Sequence, residues 1–242
     1  MCKYTILTFF SKFLSKSNQL VKESIYDANR KRLIQEVDSC NSWTEITKNR
    51  VQKILLTLST VGLQANIKLE LSYGSLLGYI RHNGIMPWDD DADLAIHSAD
   101  VPNFLKAVEQ EGSLLFDEFF YANTGIKYLK FWTKQGEPIG GHLHTFPFVD
   151  IWLYTIDNEK WINFSGEVRH PVPDYYPTKE VVFEGAKFGI PHNSLLCLDR
   201  HYKNWRKEIQ VFPWSHRLER PSFKPLKVGI KVDANGQFVK YI

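Results

Sequence analysis

The apolar positions of this chain change period several times, and each change predicts an element. Ile54, Leu55, Leu58 and Val61 recur at three- and four-residue intervals, the stripe of an amphipathic helix. Ser42 or Thr44 supplies its N-cap and Gly62 its stop. Lys68 to Ser72 reads as a short strand leading into Gly74-Ser75 and a turn or helix start over Leu76 to Ile80. His82-Asn83-Gly84 is a turn signal. From Asp91 to His97 the period drops to two, with Ala92, Leu94 and Ile96 on one side and Asp91, Asp93, Ala95 and His97 on the other. That alternation predicts a strand with an apolar face and an acidic face. Val101 to Gln110 returns to helical spacing, with Asp100 as cap and Pro102 in the first turn. Ile126 to Thr133 and Phe146 to Tyr154 read as further strands. The latter presents Val149, Ile151 and Leu153 to one side and Phe148, Asp150, Trp152 and Tyr154 to the other.

Past Asp157 the texture changes. Three prolines between His170 and Pro177 predict a loop. Val181 to Ile190 reads as a strand pair around Glu184-Gly185, and Ser194 to Trp205 as a helix facing Leu195, Leu198, Tyr202 and Trp205 inward. Lys227 to Val232 and Phe238 to Ile242 form a hairpin turned at Asp233 to Gly236. Residues 20–40 predict a charged helix. The apolar run from Tyr4 to Phe10 stops at Ser11 and Lys12, too short for a membrane span and without a clear cleavage site. No transmembrane span is expected. Strands and helices alternate with no long linker or repeat, so the fold class is α/β, a mixed sheet flanked by helices.

Charge refines this outline. Residues 1–43 carry seven Lys/Arg against four Asp/Glu, residues 44–216 seventeen against twenty-one, and residues 217–242 six against two. An acidic middle between basic ends suits a cation-loaded site rather than a nucleic-acid groove, so no nucleic-acid partner is expected. Cys2, Cys40 and Cys197 are too scattered for a disulfide framework or a zinc site. His142 and His144 have no cysteine nearby and read as loop residues.

The informative stretch runs from Leu71 to Ile96. Asp91 and Asp93 lie two apart on one predicted strand, so their carboxylates leave the same face and can share a divalent cation, Mg²⁺ or Mn²⁺. Asp150, on the polar side of another strand, completes a three-acid set if that strand is adjacent. Gly74 lets backbone approach a phosphate and Ser75 offers a hydroxyl and an N–H there. Lys127 or Lys130, on the strand before Asp150, is placed to hold a donor phosphate. A Gly-Ser turn, an Asp-x-Asp strand and a later third acid form the nucleotidyltransferase pattern of metal-assisted phosphate chemistry. A calcium loop fits poorly, because Leu94 stands where its glycine belongs and Asp100 where its glutamate belongs.

The run Gly74-Ser75-Leu76-Leu77-Gly78-Tyr79-Ile80-Arg81-His82-Asn83-Gly84, followed by Pro87-Trp88-Asp89-Asp90-Asp91-Ala92-Asp93, resembles the signature of the LicD/fukutin family. Phe148-Val149-Asp150-Ile151-Trp152 resembles its second block. Phe183-Glu184-Gly185 with Ile190-Pro191 and the helix ending in Tyr202 resembles its third. Ser75 replaces the commoner Thr, and Tyr73 stands where a second Gly is frequent. The resemblance covers roughly residues 45–210. It implies a catalytic unit of the nucleotidyltransferase type over 44–210, between an N-terminal helical segment (1–43) and a basic C-terminal extension (211–242). It also implies transfer of phosphocholine or ribitol phosphate from a CDP-activated alcohol donor to a glycan acceptor, with Arg81 and His82 facing phosphate. A donor with a pyrimidine ring, and in some cases a quaternary ammonium, would need aromatic walls, for which Trp88 and Trp152 are the candidates. The alternatives are a glycosyltransferase binding a nucleotide sugar through Asp-x-Asp, or a glycan-binding relative without activity.

Overall fold

The computed structural model describes residues 27–121, 125–164, 168–222 and 225–242. The apolar run at Tyr4 to Phe10 lies outside them. Helix α1 covers 27–39, the described part of the helix expected over 20–40. Helix α2 (Glu45–Gln64) starts on a reciprocal cap, in which Thr44 Oγ1 accepts from the Thr47 N–H while Thr47 Oγ1 accepts from the Thr44 N–H. The helix runs two residues past Gly62. Strand β1 (Glu70–Leu71) is only two residues long, and α3 (Tyr73–His82) begins directly after it. Asn83, in left-handed backbone at φ 58, closes α3.

Strand β2 (Asp93–His97) is followed by α4 (Val101–Glu111). Asp100 makes no side-chain cap bond; His97 Nδ1 instead accepts from Ala99 N–H in the turn before the helix. Then come β3 (Leu115–Phe120), β4 (Lys127–Pro138) and β5 (Thr145–Asp157). The proline-rich stretch is not a plain loop. It continues β6 (Trp161–Phe164) through β7 (Val168–Pro171) into a helical turn, α5 (Val172–Tyr175). Pro171 ends the strand and Pro173 sits in the helix's first turn, where an N–H is not needed, and Pro177 follows the helix. Strands β8 (Lys179–Phe183) and β9 (Ala186–Ile190) form the expected pair, and α6 (Ser194–His201) ends four residues short of Trp205. The chain finishes with β10 (Glu208–Val211), β11 (Trp214–Ser215), β12 (Arg220–Pro221), β13 (Leu226–Val232) and β14 (Phe238–Tyr241).

Nine strands form one mixed sheet in the order β3-β4-β5-β2-β1-β9-β8, with β6 and β7 continuing from β5. The β2–β5 and β1–β9 pairs are parallel and the other pairs antiparallel. Both faces are covered. Leu94, Ile96, Val149 and Ile151 join the core of α2 and α4, while Ala95 and Tyr154 pack with Phe164, Tyr175 and Cys197 on the other side. Each fully buried Ile or Leu of α2 contributes about 1.5–3 kcal/mol, and Ile54, Leu55 and Leu58 are all of this kind. Among the described residues no helix is long and apolar enough to cross a membrane.

Glu184, at the β8–β9 turn, ties this frame to the loop that follows α3. Its Oε1 accepts from Ile85 N–H at 2.8 Å and lies 2.8 Å from Lys48 Nζ, and its Oε2 accepts from Gln52 at 2.9 Å. Glu184→Ala would leave a half-buried N–H and an ammonium without this partner. The variant should lose about 2 kcal/mol of unfolding free energy, read as a lower urea midpoint at unchanged slope; an unaltered midpoint would refute this role.

Candidate active site

The acidic residues meet on one face of the sheet because of strand register. Asp93 is the first residue of β2 and pairs directly with Asp150 of the parallel strand β5, so the two side chains leave the same face side by side. Asp91 lies just before β2 rather than within it. The shared strand face inferred from its spacing is therefore not what brings it in. It reaches the cluster from the loop, and its charge acts on Asp93 and Asp150. Asp89, also from the loop, lies close enough to Asp91 to feel its charge. The charged run thus belongs to the interior, not to a solvated surface.

Burial is the largest influence on these groups. It pushes the Asp93 carboxyl up to about 7, opposed by the hydrogen bond from Trp152 and reinforced by Asp150 and Asp89. Asp91 is raised well above the usual range by burial, then by Asp93, Asp150 and Asp90. Asp89 is raised by burial, then by Asp91 and Asp90.

Neutral and cationic partners offset this charge. The Gly74 N–H donates to Asp93 Oδ2 at 3.1 Å and Trp152 Nε1 to Asp93 Oδ1 at 2.8 Å. Ser75 Oγ accepts from the Asp93 N–H at 2.8 Å, so its hydroxyl fixes the acidic strand. Lys130, directly opposite Asp150 in the β4–β5 ladder, places Nζ 2.9 Å from Asp150 Oδ1 and 3.2 Å from Oδ2. Lys127 pairs instead with Glu118.

Three of the expected residues, Arg81, His82 and Trp88, are engaged elsewhere. Arg81 is buried, and its Nη1 donates to the carbonyls of Trp205 and Glu208 at 3.3 and 3.4 Å. Its Nη2 meets Met86 Sδ, and its Nε donates to His82 Nε2 at 3.1 Å. Burial lowers Arg81 to about 10, and burial followed by Arg81 lowers His82 to about 4, so His82 is the neutral acceptor of this pair. The His82 ring stacks on Phe238 and meets Trp88 edge-on. Arg81, His82 and Trp88 therefore bind α3 to the C-terminal strands, since their donors and rings are taken up there. Trp152 is the indole that borders the acids. It stacks on Tyr128 at 4.8 Å and meets Tyr73 at 4.9 Å.

The stretch beyond residue 210 joins the site. Asp90 Oδ2 accepts from Ser215 Oγ at 3.1 Å and from the Arg217 N–H at 3.2 Å, anchoring the β11–β12 hairpin. That hairpin brings His216 Nε2 to 3.3 Å from Asp91 Oδ2 and Glu219 to Lys130 and His144. His144 is buried against Glu219 rather than lying in a free loop. Nothing in the sequence singles out His216 or Glu219, which sit in a basic segment without a motif. Asp89 carried a legible signal, its alternate spacing with Asp91 and Asp93.

A cation fits the chemistry of this donor set. Several buried carboxylates repel one another, and hard oxygen donors of this kind suit Mg²⁺ or Mn²⁺. Among the described residues, however, no three acid, histidine or cysteine side chains form a ready-made metal cage. Lys130, His216 and Trp152 stand between them as partners.

The closest packing in the site is at Gly74. A Cβ there would lie 2.7 Å from Asp89 Oδ2 and 3.3 Å from Asp93 Oδ2. Gly74→Ala should displace both carboxylates and lower turnover at least about a hundredfold, as loss of a main electrostatic stabiliser does. The α-helical circular dichroism should be retained. Turnover within about threefold of the parent would refute this account.

The family model of the LicD/FKTN/FKRP nucleotidyltransferase domain matches residues 66–193, just over half of the chain. Ribitol 5-phosphate transferase FKRP of Homo sapiens is 30% identical over 136 residues, covering 53% of this chain and 26% of that protein. An uncharacterized protein of Rickettsia typhi, RT0683, is 28% identical over 159 residues, covering 63% and 46%. Lipopolysaccharide cholinephosphotransferase LicD of Haemophilus influenzae is 42% identical over 45 residues, covering 19% and 17%. The chain thus spans less than half the length of each of these three relatives. With the signature run, the paired strands and the matched segment in agreement, the chain belongs to the LicD/FKTN/FKRP nucleotidyltransferase-domain family.

Proposed function

We propose that this protein transfers a phospho-alcohol, of the phosphocholine or ribitol-phosphate type, from a CDP-linked donor to a glycan hydroxyl. The observation that carries the reading is the side-by-side placement of Asp93 and Asp150 with Asp91 in range of both, beside the Gly74 N–H. Two named relatives, FKRP and LicD, are a ribitol 5-phosphate transferase and a cholinephosphotransferase. Asp91 and Asp93, with Asp150 completing the set, would hold one or more divalent cations, Mg²⁺ or Mn²⁺. Such a cation offsets phosphate charge and stabilises the leaving group.

In the reaction the acceptor hydroxyl oxygen forms a bond to the alcohol-bearing phosphorus and the bond to the CMP oxygen breaks. The hydroxyl proton leaves to a base, and CMP departs as the anion. The chain's own part is positional. Gly74 and Trp152 fix the Asp93 carboxylate through both of its oxygens, and Ser75 fixes the strand beneath it. The Trp152–Tyr128 stack, with Tyr73 across the indole, offers an aromatic wall for a base or an alkylammonium group.

Incubation with CDP-choline or CDP-ribitol, Mn²⁺ and a panel of glycans, followed by mass spectrometry, tests the reading. Phosphorus must appear in the glycan product; transfer of a bare sugar from a nucleotide sugar would point instead to a glycosyltransferase. Asp91→Asn or Asp93→Asn should lower turnover about a hundredfold or more. Near-parental rates in either variant, or in EDTA, would overturn the assignment.

A further inference from the structure

Resting on the cation reading above, we propose that Lys130 is a tethered counter-ion. It keeps the place of the divalent cation at Asp150 and moves to Glu219 when the cation arrives.

The Lys130 side chain is only 2% exposed, and its Nζ sits 3.2 Å from the centroid of the Phe148 ring. A buried ammonium must keep a carboxylate partner, because water is not available to it. It has two within reach. Asp150 is nearer, with Nζ 2.9 Å from Oδ1 and 3.2 Å from Oδ2, and Glu219 Oε1 is at 3.9 Å. Only the Oδ2 contact has hydrogen-bond geometry; Oδ1 is buried and accepts no hydrogen bond. One carboxylate oxygen of Asp150 is thus held by charge alone. Moving the ammonium between partners requires a displacement of about 1 Å, within the reach of a side-chain torsion.

Glu219 is built to receive it. His144 Nε2 lies 3.0 Å from its Oε1 and Trp214 Nε1 donates to its Oε2 at 3.1 Å, so the carboxylate is held in place from two sides. Its backbone is at φ 48, a region that residues other than glycine seldom adopt and that tends to mark functional sites. Burial would raise its carboxyl, but the His144 bond and the Lys130 charge hold it down to about 2. Glu219 therefore stays anionic. A divalent cation and an ammonium on the same carboxylate repel strongly at these distances, so occupancy by the cation drives Lys130 toward Glu219.

The test is a Mn²⁺ titration by calorimetry of the full chain, Lys130→Met, Glu219→Gln and the double variant. Both replacements keep side-chain volume. Lys130→Met removes the competitor and should bind Mn²⁺ about tenfold tighter or more. It should melt lower than the parent in EDTA and regain more on Mn²⁺ addition. Glu219→Gln removes the receiving partner and should bind Mn²⁺ about tenfold more weakly at a similar melting temperature. In the Lys130→Met background Glu219→Gln should change affinity less than twofold, the coupling expected if both act through one ammonium. A residue with only a packing role would not change affinity in opposite directions at the two positions. A parent protein that binds no Mn²⁺ overturns the cation reading and this inference together. A parent that binds, with Lys130→Met unchanged or weaker, overturns this inference alone. If Lys130→Met does not fold, unchanged affinity in Glu219→Gln is sufficient to overturn it.

Discussion

The rest of this structure is arranged around the difficulty of holding several carboxylates close together away from water. Asp89, Asp91, Asp93 and Asp150 are all subject to that cost, and each neighbouring element meets part of it. In the first turn of α3 the Gly74 N–H donates to Asp93, and the lack of a side chain there leaves room for the Asp89 and Asp93 carboxylates. The parallel β2–β5 pairing puts Asp93 beside Asp150, and the antiparallel β4–β5 pairing puts Lys130 opposite it. The hairpin anchored on Asp90 adds His216. Removing any one of these partners would leave charge that the interior cannot solvate.

The two faces of the sheet divide the work. One face packs Leu94, Ile96, Val149 and Ile151 against α2 and α4 and needs no chemistry. The other carries Asp93 on β2 beside Asp150 and Trp152 at alternate positions on β5, so rigidity of the apolar side is transmitted to the acidic side through the same strands. Glu184 and Arg81 extend that stiffness sideways. One holds the loop after α3 to the β8–β9 turn, and the other holds α3 to the strands after α6. The sequence pattern marks both as family residues, and their contacts show each tying neighbouring elements together.

Much of this was legible without coordinates, for local reasons. The helix over 45–64, the β8–β9 pair around Glu184-Gly185 and the terminal hairpin follow from spacing and turn residues. Asp93 and Asp150 emerged because an acid at alternate positions in an apolar strand is chemically conspicuous. The hidden parts depend on long-range pairing. Strand β3, with Leu115, Asp117 and Glu118, has neither clean alternation nor turn signals, and its hydrogen bonds to β4 alone define it. The proline run from His170 read as a loop because proline breaks regular structure, yet Pro171 and Pro173 fall where an N–H is dispensable. Arg81 and His82 were assigned toward phosphate by motif, since no local pattern reveals that the Trp205 and Glu208 carbonyls take up the Arg81 guanidinium. His216 and Glu219 come from more than a hundred residues downstream of Asp91, a distance at which charge complementarity leaves no trace in spacing.

The β11–β12 hairpin has a bearing on how this family is compared. The matched segment ends at residue 193, whereas the hairpin that supplies His216 and Glu219 begins at Trp214. An alignment confined to the shared segment therefore records the anions and omits part of what balances them. Equivalence over that segment therefore does not by itself establish equal compensation of the site's negative charge. In this chain part of that balance comes from outside the signature run, from the hairpin after residue 210.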